Sequence, residues 1–212
     1  ETGLPAPLML MAYWQAGQLF TKPWQRFQSK LEALDEKWLK SLLRAQSVSW
    51  VRTWLYSYFE LAYLLCYPLV PCTLAVLYLK HMGRYADQLW TAVLPPAYIC
   101  YGLVPFIRTL PPRMLSSERA LGIRPSQIRA LNLSILNHAS IQVNTFPCAH
   151  VAASMAASLA LLCFVPWAGL LFLCVSISIA VGAVLGRYHY ALDTLAGAAL
   201  AVAGFLLGIG CF

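Results

Sequence analysis

Arg187, His189 and Asp193 fall within seven positions of the stretch "GRYHYALDTLAG" (186–197), and from Trp167 to the C-terminus no other side chain is expected to carry charge near neutral pH. His189 and Asp193 are four apart, so on a helix they share a face. There the carboxylate can accept a hydrogen bond from one imidazole nitrogen and leave the other free and basic. That is the orienting role of the carboxylate in a nucleophile–base–orienter set. The chain holds only three aspartates, so such a spacing seldom arises by chance. A buried polar pair that merely stitches helices together is the plainer alternative, and it leaves Arg187 unexplained.

A second histidine stands at a comparable junction. His150 follows "NTFPCA", where a polar loop enters an apolar run. Pro147 is predicted to start a helix, which would leave the backbone N–H groups of residues 148–150 pointing out as an anion site. Cys148 would add a weak donor there, Ala149 a backbone donor and His150 an acid. Arg187, with Arg108 and Arg113 from the preceding loop, could clamp phosphate oxygens through paired N–H bonds. A nucleophilic histidine, its carboxylate, a second histidine and several arginines are what phosphoryl transfer requires. Of the other two histidines, His81 lies in a loop on the opposite side and His138 has no identifiable partner. Cys148, His150, His189 and Asp193 are also legitimate zinc ligands, which keeps a zinc-dependent membrane hydrolase as an alternative, although clustered arginines disfavour a dication.

These residues must be carried by a membrane fold. The 212 residues are 60% hydrophobic and 11% charged, whereas soluble domains have roughly a quarter of their residues charged. The reading is all-α: a polytopic transmembrane helix bundle, hence an integral, multi-pass membrane protein. Five segments approach the ~20 apolar residues a span needs: 54–79, 88–107, 148–165, 167–185 and 190–211, the third and fourth forming a tight hairpin. Residues 4–20 are apolar but short and hold two prolines. They read as a re-entrant or interfacial piece, the alternative being a truncated sixth span. Prolines in "YPLVPC" and "LPPAY" predict kinks. Glu60, the only charge in the first span, should face the interior, more readily as a structural hydrogen bond than as a substrate contact.

Residues 1–53 read as an N-terminal interfacial region and 54–212 as the transmembrane catalytic domain. Lys22, Arg26, Lys30, Lys37, Lys40, Arg44 and Arg52 crowd the first of these, part of a formal charge of +7. Trp24, Phe27, Leu31, Leu34, Trp38, Leu42 and Leu43 recur there at helical spacing. An apolar stripe opposite a basic face suits a helix lying among lipid headgroups, or one packed on the protein's own flank, better than one on nucleic acid. The loop from Arg108 to Phe146 is long enough to be functional. Both candidate junctions and most of the positive charge share one side. The positive-inside rule makes that side cytoplasmic, but arginines kept for chemistry do not report topology. Seven scattered cysteines without a CxxC pair read as small buried hydrophobes.

"FPCAH" followed by "RYHYALD" resembles the second and third signature motifs of the type 2 phosphatidic acid phosphatase superfamily of membrane phosphatases and phosphotransferases. The second motif, PSGH, is matched at Pro147 and His150. The third, an arginine followed by HxxxD, is matched at Arg187, His189 and Asp193. The resemblance covers roughly residues 90–212 and implies a six-helix fold. It further implies that His189 forms a phosphohistidine, that Asp193 orients it, and that His150 protonates the leaving group and then activates the acceptor. Neither metal nor other cofactor is implied, and the partners are a lipid phosphate and the bilayer. Cys148 and Ala149 stand where the motif has Ser and Gly. Arg187 precedes His189 by two residues where the family pattern has six. The first motif, KxxxxxxRP, is missing: Arg124-Pro125 has no lysine seven before it, and "RTLPPR" is a loose stand-in. These departures look more like the inositol phosphorylceramide synthase branch, which moves a phospho-headgroup between lipids. A lipid-phosphate binder with a decayed site is a further alternative.

Overall fold

A computed structural model describes residues 3–44, 50–115 and 126–210. Among them the architecture is all-helical. In chain order the helices are α1 (Pro5–Gln18), α2 (Gln25–Arg44), α3 (Trp50–Leu64), α4 (Cys66–Leu79), α5 (Ala86–Gly102), α6 (Gln127–Ala139), α7 (Ala149–Phe164), α8 (Pro166–Leu185) and α9 (Ala191–Gly210). Short 3₁₀ turns cover Gly83–Tyr85 and Pro112–Met114. The one extended pairing among the described residues is an isolated antiparallel bridge between Thr109 and Asn144. Glu118, Arg119 and the Arg124-Pro125 pair lie outside the described residues, as do the side chains of Lys40, Leu42, Leu43, Arg44 and Arg52.

Helix α7 is the hub, packing against α4, α5, α8 and α9. A helix apolar on every side belongs inside a bundle, and α7 buries Ala149, Ala152, Ala153, Ala156, Ala157 and Ala160 on its various faces. Small side chains let backbones approach closely. Gly169 makes this literal: a Cβ there would stand 2.2 Å from Leu162 Cα. Only Val165 separates α7 from α8, so the two form a tight antiparallel hairpin, joined further along by the Ser158 and Ser176 hydroxyls at 2.8 Å.

Two described helices are long and apolar enough to cross a membrane, Pro166–Leu185 and Ala191–Gly208. The segment 54–79, read from sequence as one span, is instead α3 and α4 meeting at a 60° bend, and it makes a third span only if the bent pair counts as one. Pro68 accounts for the break. It offers no N–H to the Leu64 carbonyl, and its ring crowds that oxygen. Helix α7 is apolar but has only 16 residues, about 24 Å of helix. Five spans are therefore more than helix length and composition support here. Helix α1, with 14 residues, extends about 21 Å, short of the ~30 Å hydrocarbon layer. It lies against α5, with Ala16 in a cluster that includes Ala97, Cys100, Tyr101 and Ala152.

Two elements depart from the sequence reading. The buried face of α2 is Gln28, Leu31, Asp35 and Leu39, while Trp24 and Trp38 stay exposed. A polar pair thus shares the inward stripe with two leucines, because each polar side chain has a partner across the contact. The long loop also contains a helix, α6. Ser126 caps it, its hydroxyl accepting from the Arg129 N–H at 3.1 Å, as N-cap serines do.

Candidate active site

The site is assembled at the end of α8. The Arg187 N–H donates to the Val184 carbonyl at 3.1 Å and the Tyr188 N–H to Ala183 at 2.9 Å, the paired pattern of a Schellman turn. Such turns need a left-handed residue just past the helix, usually glycine. Here Arg187 takes that place at φ 59°, a conformation that disfavours side chains by roughly 1–2 kcal/mol. A buried network holds the turn. Arg129 donates to the Gly186 carbonyl at 2.7 Å and pairs with Glu60 at 2.8 Å. Asn132 donates to both the Glu60 carboxylate (2.7 Å) and its backbone carbonyl (2.8 Å). The Tyr188 hydroxyl donates to Glu60, and its ring stacks on Tyr63 with centroids 4.0 Å apart. Glu60 is thus a structural carboxylate.

His189 leaves this turn just before α9 begins. Its Nδ1 lies 3.2 Å from Asp193 Oδ2, and Asp193 is fully buried. With the proton on Nδ1, His189 donates to Asp193 and Nε2 is left unprotonated. The same Oδ2 accepts from Asn144 Nδ2 at 2.6 Å. Asn144 is itself fixed by donating to Thr109 Oγ1 at 3.2 Å and, through its backbone N–H, to the Thr109 carbonyl at 3.0 Å. Three segments therefore converge on one carboxylate.

The rings of His150 and His189 meet edge to face with centroids 5.7 Å apart. Tyr63, Tyr67 and Tyr13 surround His150 at 5.9, 5.7 and 6.5 Å. The Asp193 carbonyl accepts from the Cys148 N–H at 2.9 Å. Gly197, one turn further along α9, permits that approach, for a Cβ there would meet the Cys148 carbonyl oxygen at 2.5 Å. The Ala149 N–H donates to Thr145 Oγ1 at 3.2 Å. The backbone donors of Cys148 and Ala149, anticipated as free, are thus already paired, because the start of α7 is buried against α9.

The arginines separate. The Arg113 N–H donates to the Arg187 carbonyl at 2.9 Å, and its guanidinium interacts electrostatically with Tyr63, Tyr13 and His150. Burial pulls Arg113 below its ordinary value, but a guanidinium remains protonated at any working pH. Arg187 Nη1 pairs with Asp35 Oδ2 at 2.8 Å, while its buried Nε has no hydrogen-bond partner. Asp35 Oδ1 accepts from the Ala191 N–H at 2.9 Å. Burial pushes the Asp35 carboxyl above the usual carboxylate range, against the lowering effect of that N–H and of Arg187. Arg108 donates to Thr21 Oγ1 at 2.6 Å, toward the link between α1 and α2, and the structure gives it no contact with either catalytic-candidate histidine. His138 Nδ1 contacts the Ser134 carbonyl at 2.7 Å. His81 lies at the other end of the bundle, after α4. Among the described residues no group of three or more His, Cys, Asp or Glu side chains is arranged to hold a metal.

Asp35 and Asn144 contact the candidate set, Arg187 and Asp193 respectively, and neither was singled out by the sequence. Asn144 does stand close before "FPCAH", which was its only signal. No curated protein and no solved structure matches the chain. A model of the PAP2 superfamily matches residues 30–207, which takes in the whole site from Asp35 to Gly197. The chain belongs to the type 2 phosphatidic acid phosphatase (PAP2) superfamily, whose members are phosphatases and phosphotransferases.

Proposed function

We propose that this protein is a multi-pass membrane enzyme that takes a phosphoryl group from a lipid phosphate through a phosphohistidine. One observation carries the reading: two histidine rings 5.7 Å apart, one of them held at Nδ1 by a buried aspartate. His189 Nε2 attacks phosphorus as the bond from phosphorus to the ester oxygen breaks. The imidazolium that forms is stabilised by Asp193. His150 gives its proton to the departing alkoxide, then takes one from the incoming water as the N–P bond breaks. Arg113 and the unpaired Nε of Arg187 supply positive charge for the phosphoryl oxygens. The amphipathic α2, with Trp38 exposed on it and Trp24 exposed just before it, suits the headgroup layer.

A second reading, transfer to a lipid alcohol in place of water, is favoured by the two-residue spacing of Arg187 and His189 and by the burial of His189, which is 5% exposed. Incubation with ³²P-labelled phosphatidate, with and without ceramide or a diacylglycerol of different acyl composition, tests both. Release of inorganic phosphate, or label in a new lipid, tells hydrolysis from transfer. Vanadate should inhibit, and His189→Ala should abolish both turnover and acid-labile label on the protein. Wild-type turnover by His189→Ala would refute the mechanism. Tight binding without turnover would support a non-catalytic binder, and loss of activity on chelation with recovery on zinc would support a metalloenzyme.

A further inference from the structure

Beside His150 runs a groove between α1, α4 and α7, enclosing about 240 Å³. Its walls are Met9 and Leu10 from α1, Val70 and Pro71 from α4, and Ala153 from α7, and no charged side chain lines it. His150 closes its inner end. At its rim Leu10 and Trp14 are 48% and 49% exposed. Of the polar groups on the wall, the Tyr13 hydroxyl bonds with Ser140 and accepts from the Ile141 N–H, and Tyr67 and Tyr101 add two further hydroxyls. The walls offer a ligand mostly apolar contact and few polar groups.

We propose that this groove holds a single alkyl chain of the phosphate-bearing lipid, with α1 as the wall that selects its length. This rests on the lipid-phosphate reading above. The charge distribution favours an amphiphile with its anion at one end. His150, with Arg113 and His189 acting electrostatically on it, marks the inner end, and the surface leading outward is mainly apolar. Its volume lies below the roughly 300–1,000 Å³ of pockets that enclose drug-sized ligands, which suits one chain and not a pair. Helix α1 lies upstream of the residues matched by the family model. Chain selectivity would therefore reside in a segment outside the matched region.

The test uses the full chain in detergent micelles and a series of monoalkyl phosphates from butyl to hexadecyl. The readout is the ratio of kcat/KM for the dodecyl ester to that for the butyl ester. Each buried methylene favours binding, so in the wild type this ratio should exceed about tenfold. Met9→Trp and, independently, Ala153→Phe fill the groove and should lower the ratio toward one. Two substitutions on different helices guard against one that fails to fold. Turnover of every ester at one rate would overturn the groove proposal while leaving the enzyme reading intact. A wild-type ratio retained in both variants would do the same, and would mark any co-purifying lipid there as structural. Absence of turnover on all esters, with label transfer from phosphatidate also absent, would overturn the enzyme reading itself.

Discussion

The Arg187 guanidinium and the Asp35 carboxylate, 152 positions apart in the chain, meet at 2.8 Å beside the first turn of α9. The other Asp35 oxygen accepts the Ala191 N–H. One carboxylate from α2 thus ties down both the arginine of the third motif and the start of the helix that carries Asp193.

Burial raises the Asp35 pKa. A raised folded-state value means that the contribution of this group to stability is fully present below the unfolded value and is lost as pH rises through the folded one. Asp35→Asn keeps an oxygen for Ala191 and removes the titration. The difference in Tm, wild type minus variant, should therefore fall as pH rises above the ordinary carboxylate value of about 4. A difference that grows with pH would show that the Arg187 pairing outweighs burial.

Asn144 donates to the oxygen that also receives His189. Asn144→Ala should lower kcat by about tenfold or more through a misplaced Asp193, with KM little changed. Asn144→Asp should be worse, because it sets a second carboxylate against Asp193 and drives one of them to hold a proton. Steady-state kinetics on both variants, with a pH profile for each, checks the order. Equal activity in the two would remove Asn144 from the positioning set.

The Glu60–Arg129 pair is 5% and 2% exposed. Glu60→Leu leaves a guanidinium buried without its carboxylate and should destabilise the fold by about 3–5 kcal/mol. Removing both charges, as Glu60→Leu with Arg129→Leu, should recover only part of that loss, because Asn132, the Tyr188 hydroxyl and the Gly186 carbonyl then lose buried partners. Thermal denaturation of the single and double variants in one detergent gives the comparison.

Gly197→Ala should both destabilise the protein, by roughly 1–3 kcal/mol, and reduce turnover, because its Cβ would push on the Cys148 carbonyl one turn from Asp193. Gly102→Ala is the matched control, since its Cβ meets nothing within 4 Å. A variant at 197 as stable and active as the one at 102 would contradict the close packing of α7 on α9.

What was legible in the sequence was local. The four-residue spacing of His189 and Asp193 is enough to put both on one face, and the Val165-Pro166 junction is short enough to force the α7–α8 hairpin. Pro68 signalled a bend, though not that the bend reaches 60°. Helix α6 was hidden because its polar residues look outward-facing, when Asn132 and Arg129 are in fact buried against Glu60. Asp35 was hidden for the opposite reason. It sits in a helix whose aromatic residues draw attention to the exposed side, and a lone acid says nothing about an arginine 152 positions away. Contacts of that kind depend on tertiary approach, which no spacing along the chain encodes.

Because a single residue closes the hairpin at Val165, the α7–α8 pair works like a set of callipers. His150 rides near one free tip and the turn bearing His189 follows the other, so their gap is fixed by the lengths of two rods. Inserting one residue into α7 would swing His150 by about 100° and move it ~1.5 Å along the axis, facing it away from its counterpart. Lengthening the connection after Met114 would leave the gap untouched. Length variation among variants of this protein should thus be tolerated after Met114, beyond Thr109 and Arg113, and not within the callipers.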